Sequence, residues 1–350
     1  MNVFKPLGPD HGFGEVLYDK KDGVATITIN RPHNFNAYST PALRELARAF
    51  EDASWDDSIA VIVYTGSGDR AFCTGGDVKE YAAEYVKKPR NYWKYMGLFR
   101  AYIESIMHTG KPVIARINGM AAGGGNESQL ACDLAVMAEH AWLGQVGTSV
   151  GSVACGGATQ WLPIVVGDRR AREMLMMNPK ISAKKALEWG LVNAVAPSVK
   201  KDGKWVEGPT DAQIKAAGEK KDGYSIDLSA LDAKIEEYAK NLKDKFPECL
   251  RYTKAQTNQL KEAMWQQTVE HAQDWLTLHF ACTEPQEGMN AFAQKRKTDW
   301  AGTRAKWTTD ASPEYWHGAP VTACPKCNAQ NLPSNFRFCG ACGHALQPGK

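Results

Sequence analysis

No stretch of the 350-residue chain reaches the roughly 18 consecutive apolar residues that suggest a membrane-spanning helix. Met1–Gly14 also lacks the charged-then-apolar layout of a signal peptide, so a cytoplasmic location is expected and a membrane is not expected as a partner. The formal net charge is only +3, and no basic block with interleaved aromatics occurs, which argues against a nucleic-acid partner. A disulfide framework is missing too. Cys73, Cys132, Cys155, Cys249 and Cys282 form an odd, scattered set that reads as free thiols. What is present is ordinary for a soluble globular protein: 43% hydrophobic and 23% charged residues, with length enough for one large domain and something smaller.

Gly23–Asn30 and Ile59–Thr65 read as strands, with further ones expected at Val113–Asn118 and Leu134–Ala138. Pro41–Ser54 carries Leu43, Leu46, Ala47 and Phe50 at helical spacing, and Tyr92–Met107 repeats the pattern. Strands alternating with helices predict an α/β layered fold. Short helices are expected at Asp168–Asn178 and Ala183–Gly190, and longer ones at Leu228–Leu242 and Tyr252–His279. The tetrapeptide Lys-Lys-Asp-Gly occurs at 20–23, 200–203 and 220–223, where it marks turns. Residues 198–227, rich in Lys, Gly and Asp, read as an inserted surface hairpin or flap. The main domain is therefore expected over 1–300, followed by a linker at 301–320 and a separate tail at 321–350.

In that tail, Cys324-Pro325-Lys326-Cys327 and Cys339-Gly340-Ala341-Cys342 form two knuckles separated by eleven residues. Two facing knuckles supply the four thiolates of a tetrahedral zinc site, and so small a domain needs the metal to fold. With all four positions filled by sulfur, the zinc is expected to be structural and the ribbon to dock a protein partner.

Gly123-Gly124-Gly125-Asn126-Glu127 lies between an apolar strand-like run, Lys111–Gly119, and a short helix expected at Glu127–Cys132. Such a junction collects free N–H groups at the positive end of a helix, suited to a developing oxyanion. A carboxylate in the first helical turn can move protons beside that anion. A second glycine pair in Ala71-Phe72-Cys73-Thr74-Gly75-Gly76-Asp77 follows another strand, and could aim a second amide at the same oxygen. Asp77 itself is suited to capping the helix that follows. Cys73 and Cys155 lie near these motifs without an evident base to make a thiolate nucleophile.

Together with NRPHNFNA at 30–37, ARINGMAAGGGNE at 115–127, CDLAV at 132–136, GQVG at 144–147, GGATQWLP at 156–163 and NAFAQKR at 290–296, these motifs resemble the crotonase (enoyl-CoA hydratase/isomerase) superfamily from about Gly14 to Trp300. The resemblance implies a crotonase-like spiral of ββα units with C-terminal helices, assembled as a homotrimer or hexamer. It implies coenzyme A, carried as a thioester substrate whose carbonyl lies between the backbone amides of Gly76 and Gly124. Phe35–Ala37 resembles the stretch that lies against the CoA nucleotide, and Phe35, Ala37, Phe72 and Gly75 are the expected CoA contacts. Glu127 matches the first of two glutamates that flank the attacking water in simple hydratases. The second has no counterpart, because Gly147 stands in its place.

Gly147 with Gly151-Ser152 instead resembles the dihydroxynaphthoyl-CoA synthases and the alicyclic ring-opening hydrolases. The synthases also use a tyrosine near the C-terminus, where the matching residue here is Phe280, or Ala281 if one residue is missing. GGDVKEY at 75–81, GGATQWLP and the placement of the insert resemble the 6-oxocyclohex-1-ene-1-carbonyl-CoA hydrolase group. That similarity implies water addition and ring opening, with Glu127 as acid/base and Ser152 orienting water or the ring ketone. A single-glutamate hydratase, a retro-Claisen oxo-acyl-CoA hydrolase and a non-catalytic CoA-binding scaffold remain as alternatives. Further candidates are His279 as a second proton carrier, Trp161 as a wall of an apolar ring pocket, and Lys295 and Arg296 as contacts to CoA phosphates. Simpler roles stand beside them, namely packing, core and a solvated helix end, as a turn serine does for Ser152.

Overall fold

The computed structural model describes residues 12–306, 308, 320–333 and 336–346. Residues 1–11, most of the linker expected at 301–320 and the last four residues of the tail lie outside that description. The described residues fall into two compact units. One lies within Met1–Asp77, Lys94–Thr148 and Val153–Gln273, and the other within Val78–Trp93, Ser149–Ser152 and Asp274–Lys350.

The first unit is built on two sheets that the chain visits in turn. The larger sheet contains β1 (Val16–Lys21), β2 (Val24–Ile29) and β3 (Val61–Gly66), and the smaller one begins with β4 (Ala71–Cys73). The alternation continues with β5 (Val113–Ile117) and β6 (Met120–Ala122), then β7 (Leu134–Ala138) and β8 (Trp142–Gly144). β9 (Ile181–Ser182) and β10 (Ala194–Ala196) complete the series, giving orders β1-β2-β3-β5-β7-β10 and β4-β6-β8-β9. The three circuits β3–β4, β5–β6 and β7–β8 each place one strand in each sheet and then turn through a helix, the repeating ββα spiral that the resemblance implied.

The burial pattern follows from that geometry. β2 alternates buried and half-buried residues, as a strand covered on one face does. All six residues of β3 are buried, so its apolar run is continuous. The smaller sheet was not foreseen, because strands of two or three residues are too short to show a period. Asn118 fastens the two sheets where β5 hands over to β6. Its Oδ1 accepts from the Gly66 amide at 3.2 Å, and its Nδ2 donates to the carbonyls of Gly68 at 2.7 Å and Ala71 at 3.1 Å.

The α-helices among the described residues are α1 (Thr40–Trp55), α2 (Val78–Glu80), α3 (Pro89–His108), α4 (Gly124–Ala131), α5 (Ala158–Val166), α6 (Asp168–Met177), α7 (Ala183–Glu188), α8 (Asp211–Glu219), α9 (Ser229–Lys243), α10 (Pro247–His279), α11 (Thr283–Ala293) and α12 (Trp300–Lys306). α1 starts where the Ser39 hydroxyl accepts the Ala42 amide at 3.1 Å, and it buries Leu43, Leu46 and Phe50 on one stripe. Burial of each such side chain contributes about 1.5–3 kcal/mol.

All three Lys-Lys-Asp-Gly copies end in left-handed backbone. Asp22 and Gly23 have φ of 50° and 80°, Asp202 and Gly203 48° and 80°, and Asp222 and Gly223 53° and 76°. The first two pairs are the two-residue loops of β hairpins, for which Asp-Gly supplies both positive φ angles. The insert is a small β–β–α–β arrangement rather than a hairpin alone, with β11 (Val199–Lys201) between β12 (Lys204–Trp205) and β13 (Tyr224–Ile226), and α8 connecting the latter two. In the tail, β14 (Pro320–Ala323) pairs antiparallel with β15 (Gln330–Pro333). Among the described residues no helix is long and apolar enough to cross a membrane.

Candidate functional site

Each glycine of the 123–125 run has its own physical reason. Gly123 ends β6 with φ +54° and ψ −125°, a backbone that side chains resist, and its amide donates to the Gly144 carbonyl at 3.1 Å. A Cβ on Gly124 would overlap the hydroxyl of Tyr38, and a Cβ on Gly125 would overlap the carbonyl of Cys73. α4 therefore begins at Gly124, three residues before the expected start, pressed against β4. Its first amides are free of intrahelical partners, as at any helix N-terminus. The Gly75–Gly76 loop comes up to this end: a Cβ on Gly75 would lie 2.9 Å from the Gly124 nitrogen. The two glycine motifs meet.

That second loop is strapped to the segment before α1. The Tyr38 amide donates to the Gly75 carbonyl at 2.9 Å, the Asp77 amide donates to the Tyr38 carbonyl at 3.0 Å, and Tyr38 and Gly76 form a parallel bridge. Asp77 Oδ2 accepts from Asn34 Nδ2 at 2.9 Å and from Arg31 Nη2 at 3.1 Å, so this carboxylate ties two loops together.

Glu127 follows in the first turn of α4, only 4% exposed. Its Oε1 accepts from the Gly156 amide at 2.7 Å and the Ala158 amide at 3.3 Å, both at the entry to α5. Burial pushes this carboxyl up to about 7, against the opposing pull of the two amides. A carboxyl near neutrality can both take and return a proton. Gly156 serves this contact by having no side chain: a Cβ there would overlap the Phe99 ring and approach Glu127 Oε2 at 3.0 Å. Gln160 holds the donor loop in place, its Oε1 accepting from the Gly157 amide at 3.2 Å and its Nε2 donating to the Cys155 carbonyl at 2.9 Å.

The expected nucleotide-side residues divide. Phe35 adopts left-handed backbone at φ 50°, is half-buried, and carries the Arg70 guanidinium 4.4 Å from its ring centroid. Ala37 is buried, and its carbonyl accepts from Arg31 Nη1. The Phe72 side chain is fully buried edge-on to Tyr64, at 5.0 Å between centroids, among the core residues. Gly147 opens a short 3-10 turn, Gly147–Ser149, and is half-buried. Ser152 is a half-buried residue of the second unit.

Other sequence candidates resolve into ordinary roles. Trp161 is fully buried beside Trp265, at 5.4 Å between centroids. Cys73 is pushed up to about 12 by burial and Cys155 is pushed up further, so neither is a thiolate. Arg296 Nη2 donates to Glu287 Oε2 at 2.7 Å, and His279 Nε2 lies 3.1 Å from Glu284 Oε2. Within the second unit Phe280 is not remote from phenols. It stacks on Tyr92 at 3.6 Å and meets Tyr81 edge-on at 5.9 Å. Position matching found no tyrosine at 280, but folding brings two others beside it. Sequence reading also missed Tyr38, Phe99 and the Gly156 and Ala158 amides. GGATQW was legible as a motif, but its role as an amide donor to Glu127 was not.

In the tail, the sulfurs of Cys324, Cys327, Cys339 and Cys342 all lie within 4.8 Å of one another. Cys324 and Cys342 are 3.7 Å apart and Cys327 and Cys339 3.6 Å. A tetrahedron with metal–sulfur bonds of about 2.3 Å has edges of about 3.8 Å, so the cluster fits such an ion.

Comparison with known proteins agrees with this fold. The chain is 36% identical over 316 residues to a 6-oxocyclohex-1-ene-1-carbonyl-CoA hydrolase of Geobacter metallireducens, covering 81% of this chain and 83% of that protein. It is 35% identical over 291 residues to the enzyme of that name from Thauera aromatica, covering 77% of each. An enoyl-CoA hydratase crystal structure from Mycobacterium avium subsp. paratuberculosis shares the fold, with a TM-score of 0.65 at 24% identity over 82% of this chain and 98% of that one. Residues 19–216 match the Enoyl-CoA hydratase/isomerase family, and the chain belongs to it.

Proposed function

We propose that this protein adds water to 6-oxocyclohex-1-ene-1-carbonyl-CoA or a close analogue and then opens the ring hydrolytically. The carrying observation is the buried Glu127 carboxyl, held by two amides and poised near neutrality beside the Gly124 helix end, with no second carboxylate at Gly147. The names of the relatives support the same substrate class.

The substrate's chemistry explains how one carboxyl suffices. Water adds to the β-carbon of the conjugated thioester, and Glu127 accepts its proton as negative charge moves to the thioester oxygen. The amides of Gly76 and Gly124 hold that enolate, and Glu127 returns the proton to the α-carbon. A second water, deprotonated by the regenerated carboxylate, attacks the ring ketone. The bond between that carbon and the α-carbon breaks, which opens the ring to a chain with a carboxylic acid at one end and, at the α-carbon, a thioester enolate. Reprotonation at the α-carbon completes an open-chain product. Both steps place enolate charge on the same thioester oxygen and α-carbon, so one oxyanion site and one proton carrier serve twice. Ser152 is assigned to orienting water or the ring ketone, and Gly147 to leaving room for the ring.

Phe35, Ala37 and the Gly75 loop are assigned to the CoA side, where Arg70 over Phe35 adds a cation suited to phosphate. The catalytic domain is taken as 1–300 with the 198–227 insert, assembled as a homotrimer or hexamer in the cytoplasm. The ribbon over 321–350 is assigned a structural zinc on Cys324, Cys327, Cys339 and Cys342 and a protein-docking role. The deciding experiment is mass spectrometry of products from crotonyl-CoA, 2-oxocyclohexanecarbonyl-CoA and 6-oxocyclohex-1-ene-1-carbonyl-CoA. Gain of two waters with ring opening on the last is the expected result. Turnover of crotonyl-CoA alone would replace it with simple hydration, and turnover of the saturated oxo-ring alone with retro-Claisen cleavage.

A further inference from the structure

We propose that Tyr38 is a positioning residue that sets the spacing of the two oxyanion amides. This inference rests on the assignment of Gly76 and Gly124 to the oxyanion site. Tyr38 touches both loops that carry those amides. Its backbone brackets Gly76: its amide donates to the Gly75 carbonyl at 2.9 Å, and its carbonyl accepts the Asp77 amide at 3.0 Å. Its side chain reaches the other loop, where the hydroxyl occupies the volume that a Cβ on Gly124 would need. One residue therefore holds the Gly76 loop by hydrogen bonds and the Gly124 helix end by contact.

The side chain cannot relax away from Gly124. Tyr38 is only 2% exposed. Its ring stacks on Phe99 at 5.7 Å with an interplanar angle of 21°, and Tyr102 closes another side at 5.8 Å. Close packing of this kind transmits a change of one atom to the neighbours. Phe99 in turn lies against Gly156, whose amide holds Glu127. Shifting Tyr38 would thus disturb the spacing of the oxyanion donors first and the carboxyl's anchor second. Donor placement matters because such amides act through fixed geometry aimed at charge that develops during reaction.

The test is a cycle of Gly124→Ala, Tyr38→Phe and the double variant in the full-length protein. The readouts are kcat, KM and the infrared carbonyl band of bound cyclohex-1-ene-1-carbonyl-CoA, which lacks the ring ketone and cannot be opened. Gly124→Ala is expected to lower kcat by about 100-fold or more, the range for a lost oxyanion donor, and to return the band toward that of free thioester. Removing the hydroxyl relieves the severest overlap but leaves ring carbon Cζ 2.9 Å from the new methyl group, so Tyr38→Phe in that background is expected to restore part of kcat, by several-fold, and part of the band shift. Tyr38→Phe alone keeps the buried ring on Phe99 and is expected to lower kcat several-fold with little change in KM. The proposal is overturned if the double variant is no better than Gly124→Ala and Tyr38→Phe alone matches the wild type in both kcat and band position. If the wild type itself shifts the band no further than free solution does, and Gly124→Ala turns over normally, the oxyanion assignment fails and the role of Tyr38 with it.

Discussion

Glu127 offers a quantitative test that needs no substrate. Its carboxyl rises from an ordinary 4.5 to about 7 in the folded protein, and it is buried, so solvent screens it little. At about 1.4 kcal/mol per pH unit, that rise corresponds to about 3 kcal/mol. The sign follows from proton binding. Between pH 4.5 and about 7 the folded protein holds a proton at Glu127 that the unfolded chain has released, so the folded state loses stability as pH rises through this window. Above about pH 7 the cost is complete and levels off. Glu127→Gln keeps a carbonyl oxygen for the Gly156 and Ala158 amides and cannot ionise. Its stability relative to wild type should therefore improve by up to about 3 kcal/mol between pH 5 and pH 8, whatever the constant cost of its amide NH2 group. Chemical denaturation of both proteins at several pH values within this range measures the difference directly. If the two stability curves run parallel across it, the account of Glu127 as a buried, proton-holding carboxyl is wrong.

Lys254 is buried, with its ammonium 2.9 Å from Asp133 and donating to the Ile106 carbonyl at 2.9 Å; Lys254→Met should cost about 1–3 kcal/mol by urea denaturation, because that buried carbonyl loses its donor while Asp133, part-exposed, keeps the Val113 amide at 2.7 Å. Gly125→Ala should destabilise the fold by about 1–3 kcal/mol in thermal or urea melts and remove turnover, because the new methyl group meets the Cys73 carbonyl. Ser39→Ala should cost about 1–2 kcal/mol with turnover retained, since it removes the cap on α1 and the hydroxyl's hydrogen bond to Glu15. Metal analysis of the full chain should find about one zinc, lost in Cys339→Ser with ring-opening turnover retained; a zinc-free wild type would refute the ribbon assignment.

Much of the site could be read from the chain because it is local. The Gly123–Glu127 run, the Gly75–Gly76 pair and the two cysteine knuckles each place their chemistry within a few residues, where spacing alone is informative. Four strands of the larger sheet, β2, β3, β5 and β7, were equally legible, since they are long enough to show their apolar pattern, whereas β1 and β10 were not read. The unread parts are relations across the sequence. Tyr38 meets Gly124 from 86 positions away, and Gly156 and Ala158 reach back about 30 positions to Glu127. Nothing in a residue's own neighbourhood announces such a partner. Phe280 shows the same limit: the hydroxyl-bearing rings beside it come from Tyr81 and Tyr92, nearly 200 positions earlier.

The alternation of strands between the two sheets has a further consequence. β4, β6 and β8 lie side by side and parallel, so their ends emerge together: first the Gly75–Gly76 loop, then the Gly123–Glu127 turn, then Gln145–Gly147. Each circuit of the chain thus delivers one separable instruction to a shared edge. On the proposed assignment, the first two circuits activate the thioester and the third decides what then happens to it. Under that reading, glycine rather than glutamate in the third loop redirects the reaction while the activating apparatus of the first two stays as it is.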